Sequence, residues 1–139
     1  MPCDKIVEHA GMLRRLPTQV VFDHLGHTTI EEGVRHPSHA MILGMLDSGR
    51  AWVKVSGACM NTHVGPPTYA GATRVAQALV SAAPERCVWG SDWPHPSPKT
   101  HPDDALLFDL LSEWAPDAAL RSRILVHNPQ VLYGFPEEG

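Results

Sequence analysis

Gln19-Val20-Val21-Phe22-Asp23-His24 is a short, β-branched, apolar run between Pro17 and Gly26. Its lack of alternation predicts a strand buried on both faces, the kind found in parallel sheets. Two further runs read the same way: Ala51-Trp52-Val53-Lys54-Val55-Ser56 and Arg86-Cys87-Val88-Trp89-Gly90. Their centres, near Phe22, Lys54 and Trp89, lie 32 and 35 residues apart, which is the spacing of βα units. Parallel strands joined by right-handed helical crossovers follow.

The segments between the runs carry helical signals. Ile6, Ala10 and Leu13 fall on one face of a first helix. Arg14 and Arg15 suit its C-terminal dipole, and Pro17 stops it. Ser38 is placed to cap a helix that buries Ile42, Met45 and Leu46 and ends near Gly49. Ala72, Val75, Ala76 and Leu79 stripe a helix from about Tyr69 to Ala83. Pro102, Asp103 and Asp104 open a helix that buries Leu106, Leu107, Leu110, Leu111 and Trp114. Pro116 and Asp117 open another, through about Val126. Asn128-Pro129 reads as the cap and first turn of a last short helix ending at Gly134. The order αβαβαβαα, followed by that last short helix, is an α/β domain spanning 1–139, with no linker inside it.

Composition narrows the function classes. The 139 residues are 43% hydrophobic and 19% charged, a globular balance. No apolar run reaches the ~18–20 residues of a membrane span. The start, MPCDKIVEH, is charged and shows no signal-peptide core. Net charge is −4 and the Lys and Arg residues are scattered, which argues against a nucleic-acid surface. Cys3, Cys59 and Cys87 form no CxxC pair, so neither a disulfide framework nor a zinc knuckle is expected, and a reducing cytoplasm is the natural setting. No P-loop or GxGxxG supports nucleotide binding.

Three long loops follow the strand ends, at Gly26 to His39, Gly57 to Pro67 and Trp93 to His101. Parallel α/β folds place their chemistry there. Asp92 ends the third run, where a carboxylate can be a general base, a metal ligand or a loop cap. His24 ends the first and shares the parity of Val20 and Phe22. It can polarise a carbonyl, shuttle a proton, bind metal, or sit in the core bonded to a carbonyl. His24-Leu25-Gly26-His27 is weak as a metal motif, because the pair straddles a strand end. Asp23 points the other way, toward a structural role with a neighbouring loop. Lys54 and Ser56 share one face of the second strand, though alternation does not say which, and His95 lies near the mouth. His36, His39, His63 and His101 are expected at the surface or in loops. Cys59 has no adjoining base and reads as an idle thiol.

Four blocks together resemble the C-terminal half of the amidohydrolase-related family. They are Val21-Phe22-Asp23-His24-Leu25-Gly26-His27, Trp52-Val53-Lys54-Val55-Ser56-Gly57-Ala58, Val88-Trp89-Gly90-Ser91-Asp92-Trp93-Pro94-His95 and Asn128-Pro129-Gln130-Val131-Leu132-Tyr133-Gly134-Phe135. The nearest branch is the 2-pyrone-4,6-dicarboxylate lactonase-like hydrolases. The resemblance implies a (β/α)8 barrel, here an incomplete one with strands six to eight. It implies that Asp92 activates the attacking water and that His24 lines the site and polarises the carbonyl. His27, Lys54, Ser56 and His95 are then the candidates for contact with a small carboxylate or lactone substrate.

The lactonase branch resembles a metal-free hydrolase, so no cofactor is expected. Related branches hold a divalent metal such as zinc through a strand-one HxH pair, which this sequence lacks. Two positions depart from the dicarboxylate-binding pattern. Cys59-Met60 stands where an aromatic-plus-Arg pair is usual, and His27 stands where Arg is frequent. Three strands leave two free edges, so the expected partners are an N-terminal half-barrel or further copies of the chain. The alternatives are an inactive barrel remnant serving as an interaction module, and a metal-dependent decarboxylase of the same superfamily.

Overall fold

A computed structural model describes residues 1–28, 31–60, 63–96 and 101–136. Parts of all three predicted loops, 29–30, 61–62 and 97–100, lie outside the described residues. Three strands, β1 (Val20–Phe22), β2 (Ala51–Val55) and β3 (Cys87–Trp89), form one parallel sheet in the order β1-β2-β3. Val53 of the central strand is in register with both Phe22 and Cys87. The apolar runs therefore pair as the spacing predicts, although each regular strand is shorter than its run.

Among the described residues seven α-helices accompany this sheet: α1 (Cys3–Glu8), α2 (Ala10–Arg15), α3 (Pro37–Asp47), α4 (Ala70–Ala82), α5 (Asp104–Trp114), α6 (Ala118–Ser122) and α7 (Asn128–Tyr133). Ala51, Val53 and Val55 of β2 enter a core shared with Ile42, Met45 and Leu46 of α3 and Ala72, Ala76 and Leu79 of α4. Alternation turns Trp52 and Lys54 to the opposite face. The Trp52 indole N–H donates to Gln19 Oε1 at 2.5 Å, and the Arg86 guanidinium covers its ring at 4.9 Å. The α5 face of Leu107, Leu110, Leu111 and Trp114 closes over α4, where the Trp114 indole donates to Thr73 Oγ1 at 3.1 Å. Among the described residues no helix is long and apolar enough to cross a membrane.

Three local expectations are corrected. The first helix is two, α1 and α2, broken at His9 (φ −99°, ψ 13°). The cap of α3 is His36 rather than Ser38. Its imidazole Nδ1 accepts the Ser38 backbone N–H at 3.1 Å, and Pro37 takes the first helical turn. Imidazole here does the work usually done by a hydroxyl, which draws His36 inside the fold. His39, expected in a loop, is also buried, on the inner side of α3. Burial holds its pKa below the usual histidine value.

The third correction concerns Asn128, which is not a cap. A π-helical turn, Arg123–His127, runs directly into α7. The Asn128 amide points inward and donates to Pro84 O at 2.8 Å and Cys87 O at 2.6 Å. It thereby pins the last helices to the start of β3. Asn128→Ala leaves two inward carbonyls without that donor. We expect it to lower unfolding stability by about 1–3 kcal/mol in a urea titration. An unchanged midpoint and slope would show that the two bonds carry no net stability.

Candidate active site

The carboxyl ends of all three strands converge. Asp92 follows β3, and its Oδ1 lies 3.3 Å from His24 Nε2, just past β1. His24 Nδ1 in turn lies 2.9 Å from Ser56 Oγ, just past β2. On its other side Asp92 Oδ2 faces His95 Nδ1 at 3.8 Å. His95 Nε2 reaches Asp104 Oδ1, in the first turn of α5, at 2.8 Å. Five side chains thus form one polar row, Ser56–His24–Asp92–His95–Asp104. The row runs from the buried Ser56 to Asp104, which is nearly half exposed.

The backbone pays for this placement in strain. Among the described non-glycine residues with positive φ, His24, Leu25, His27, Asp92 and His95 all lie here, the only other being Tyr69. Left-handed backbone is costly for such residues and concentrates at functional sites. His24 is therefore not the last residue of a regular strand. It opens a tight turn, His24–His27, so its side-chain direction does not follow from strand parity. Gly57 (φ +65°) lets the next loop press against it, since a Cβ there would lie 2.8 Å from His24 Nδ1.

Two buried atoms in the row have no hydrogen-bond partner, Asp92 Oδ2 and His95 Nδ1. In the neutral tautomer that donates Nε2–H to the Asp104 carboxylate, His95 Nδ1 is a lone-pair acceptor. Two acceptors then face each other across 3.8 Å with no donor between them. A water donating one O–H to each would satisfy both.

The other candidates divide. The His27 ring meets His24 edge to face, with centroids 5.3 Å apart. Burial, the N-terminal ammonium and His24 together hold its pKa below the usual histidine value. Lys54 does not point into the row. Its Nζ pairs with Asp23 Oδ1 at 2.5 Å, so Asp23 bonds to the neighbouring strand rather than to a loop. Burial alone would raise the Asp23 pKa, but the Lys54 ammonium outweighs it and holds the carboxyl below its ordinary range. Cys59 is half-buried, and burial raises its thiol pKa, consistent with an idle thiol. Sequence reading missed Asp104 as a site residue because its place in the first helical turn already accounted for a carboxylate.

A catalytic zinc site uses three protein ligands. Asp92 Oδ2 and His95 Nδ1 supply two, while His24 Nε2 is turned to the other carboxylate oxygen. No three donor atoms cluster around Asp92 among the described residues. The residues of this chain do not by themselves fit a metal there.

The family profile described as Amidohydrolase matches residues 2–135. This chain belongs to the amidohydrolase family. It is 39% identical over 132 residues to the "2-pyrone-4,6-dicarbaxylate hydrolase" of Comamonas testosteroni, covering 88% of this chain and 43% of that protein. It is 36% identical over 133 residues to the "D-galactarolactone isomerase" of Agrobacterium fabrum, covering 92% and 44%. A crystal structure of an Agrobacterium tumefaciens protein superposes with a TM-score of 0.84 at 33% identity, over 98% of this chain and 49% of that one. The chain thus spans less than half the length of these relatives. Its three strands are a parallel segment of the family's (β/α)8 barrel, as the resemblance implied.

The Asp23–Lys54 pair carries a pH signature. The folded pKa of Asp23 lies below its unfolded value. The stabilisation is therefore fully present above the unfolded pKa and is lost as pH falls through the folded one. Lys54→Met removes the cation. The Asp23 carboxyl should then titrate at higher pH by NMR, and acid unfolding should begin earlier. An unmoved Asp23 titration would show that the pair does not set it.

Proposed function

We propose that this chain supplies the carboxyl-end chemistry of a lactone hydrolase, the C-terminal portion of the family's barrel working with the strands it does not itself carry. One observation carries the reading: Asp92 Oδ2 and His95 Nδ1 are buried, without a hydrogen-bond partner, and 3.8 Å apart. A water between them is our candidate for the attacking one. The relatives support the substrate class, because both the pyrone hydrolase and the galactarolactone isomerase act, by name, on a lactone ring.

The steps follow from the row. His24 Nε2 faces Asp92 Oδ1 at 3.3 Å and holds the carboxylate in place, while Ser56 O–H donates to His24 Nδ1 and keeps the imidazole proton on Nε2. Asp92 Oδ2 takes a proton from water, and the water oxygen bonds to the lactone carbonyl carbon. Collapse of the tetrahedral centre breaks the ring C–O bond. Asp92 then returns its proton to the leaving oxygen. In this reading His24 acts by positioning Asp92, because its Nε2 is already engaged there. His95 carries its hydrogen bond outward to the part-exposed Asp104 and holds the second acceptor in place. The three free thiols fit a reducing cytoplasmic setting.

The decisive experiment joins this chain to the N-terminal half of the Comamonas relative and assays lactone opening in H2(18)O. Hydrolysis with one labelled oxygen in the product is expected for the pair. Asp92→Asn should cost about 10²–10⁴-fold in kcat, the range of a general base. Product formed without label would make the reaction an isomerisation. No turnover from a folded complex would favour the inactive remnant.

Substrate charge gives a second test. A lowered pKa leaves His27 neutral at neutral pH, so it offers a dicarboxylate no cation. His27→Arg should lower KM for a dicarboxylate lactone several-fold with little change in kcat, since Arg binds carboxylates bidentately. An unchanged KM would place His27 away from the substrate's carboxylates.

A further inference from the structure

Away from this row, three side chains converge on one imidazole nitrogen. His36 Nε2 lies 3.1 Å from Asp4 Oδ1, 3.5 Å from Glu32 Oε2 and 3.8 Å from Cys3 Sγ. Donor atoms of Cys3, Asp4 and His36 all lie within 4.8 Å of one another. A single N–H cannot serve three acceptors. Neither carboxylate has a Lys or Arg partner among the described ion pairs. Cys3 and His36 are buried, and the two carboxylates are exposed.

We propose that Cys3, Asp4 and His36 form a structural zinc site that ties α1 to the start of α3, with Glu32 within reach as the fourth ligand. Thiolate, imidazole and carboxylate are the ligand types zinc takes in four-coordinate sites. Tetrahedral zinc, with bonds of about 2.0–2.3 Å, spaces its ligand atoms about 3.3–3.6 Å apart. The separations of Asp4 and Cys3 from Nε2 bracket that range, whereas the exposed Glu32 side chain must swing in to complete the four.

Binding is coupled to two proton movements. Cys3 Sγ–H releases its proton to solvent and binds as the thiolate. His36 must bind through a bare Nε2, yet in the metal-free protein Nδ1 accepts the Ser38 N–H, which puts the imidazole proton on Nε2. Ser38 Oγ, 2.8 Å from Nδ1, is positioned to accept that proton once it moves to Nδ1. A hydrogen bond of this kind orients metal-bound histidines generally. The ion therefore exchanges one tautomer of His36 for the other, and the Ser38 N–H gives up its acceptor at the start of α3. The chain spacing gives no sign of this site: Cys3 and Asp4 are adjacent, and His36 follows about thirty residues later.

Cobalt(II), a spectroscopic substitute for zinc, tests this on the full 139-residue chain. One equivalent should bind with a thiolate-to-cobalt charge-transfer band that zinc abolishes by displacement. Asp4→Asn changes an exposed side chain, so folding is retained, and it should weaken cobalt binding at least about tenfold. Cys3→Ser should remove the band, whereas Cys59→Ser and Asp92→Asn should leave it. ¹⁵N NMR of His36 should show the proton on Nε2 without metal and on Nδ1 with zinc. Absence of the band in the unaltered chain, or its survival in Cys3→Ser, would overturn the proposal. So would loss of the band in Asp92→Asn, which would place the ion at the catalytic row.

Discussion

The double pairing of Val53, with Phe22 on one side and Cys87 on the other, is the constraint on which the remaining structure depends. It sets the register of all three strands at once. Once that row is fixed, the next few residues of each chain segment must emerge at the same end of the sheet. His24, Ser56 and Asp92 leave from three different strands and meet there within hydrogen-bonding reach. A register shift of one residue would turn alternate side chains to the wrong face and separate them.

Two carboxylates leave the same end of the sheet and are treated oppositely. Asp23 is half exposed and paired with the Lys54 ammonium. Asp92 is largely buried, flanked by two imidazoles and left with one oxygen unpartnered. The first arrangement stabilises charge in place. The second leaves a lone pair available for a proton. The difference arises from the backbone, since the positive φ of His24, Asp92 and His95 turns their side chains toward one another. Loop contacts such as Gly57 against His24 hold that geometry.

Most of the fold was legible in the chain itself. The apolar runs at Val20, Val53 and Val88 sit where the strands form, and the stripes of α4 and α5 pack as their periodicity indicates. Local capping was less legible. His36 caps α3 because its imidazole accepts a backbone N–H, a role its sequence neighbours do not announce. Asn128 resembles a cap in the Asn-Pro pair, yet it donates to carbonyls at Pro84 and Cys87, more than forty residues away. Asp104 was hidden for the same reason. A carboxylate in a first helical turn needs no further account until His95 is found beside it.

The sequence by itself determined the order of the elements, the parallel sheet and the identities of Asp92 and His24 as candidates. Each rests on local patterns: unbroken apolar runs, turn residues and the placement of polar groups at strand ends. The tertiary structure alone decided which atoms meet. It turned Lys54 to Asp23 rather than to the polar row, aimed Asp92 Oδ2 at His95 Nδ1 and gathered Cys3, Asp4 and Glu32 around His36. Those choices depend on register, positive φ and contacts across more than thirty residues, none of which a local pattern encodes.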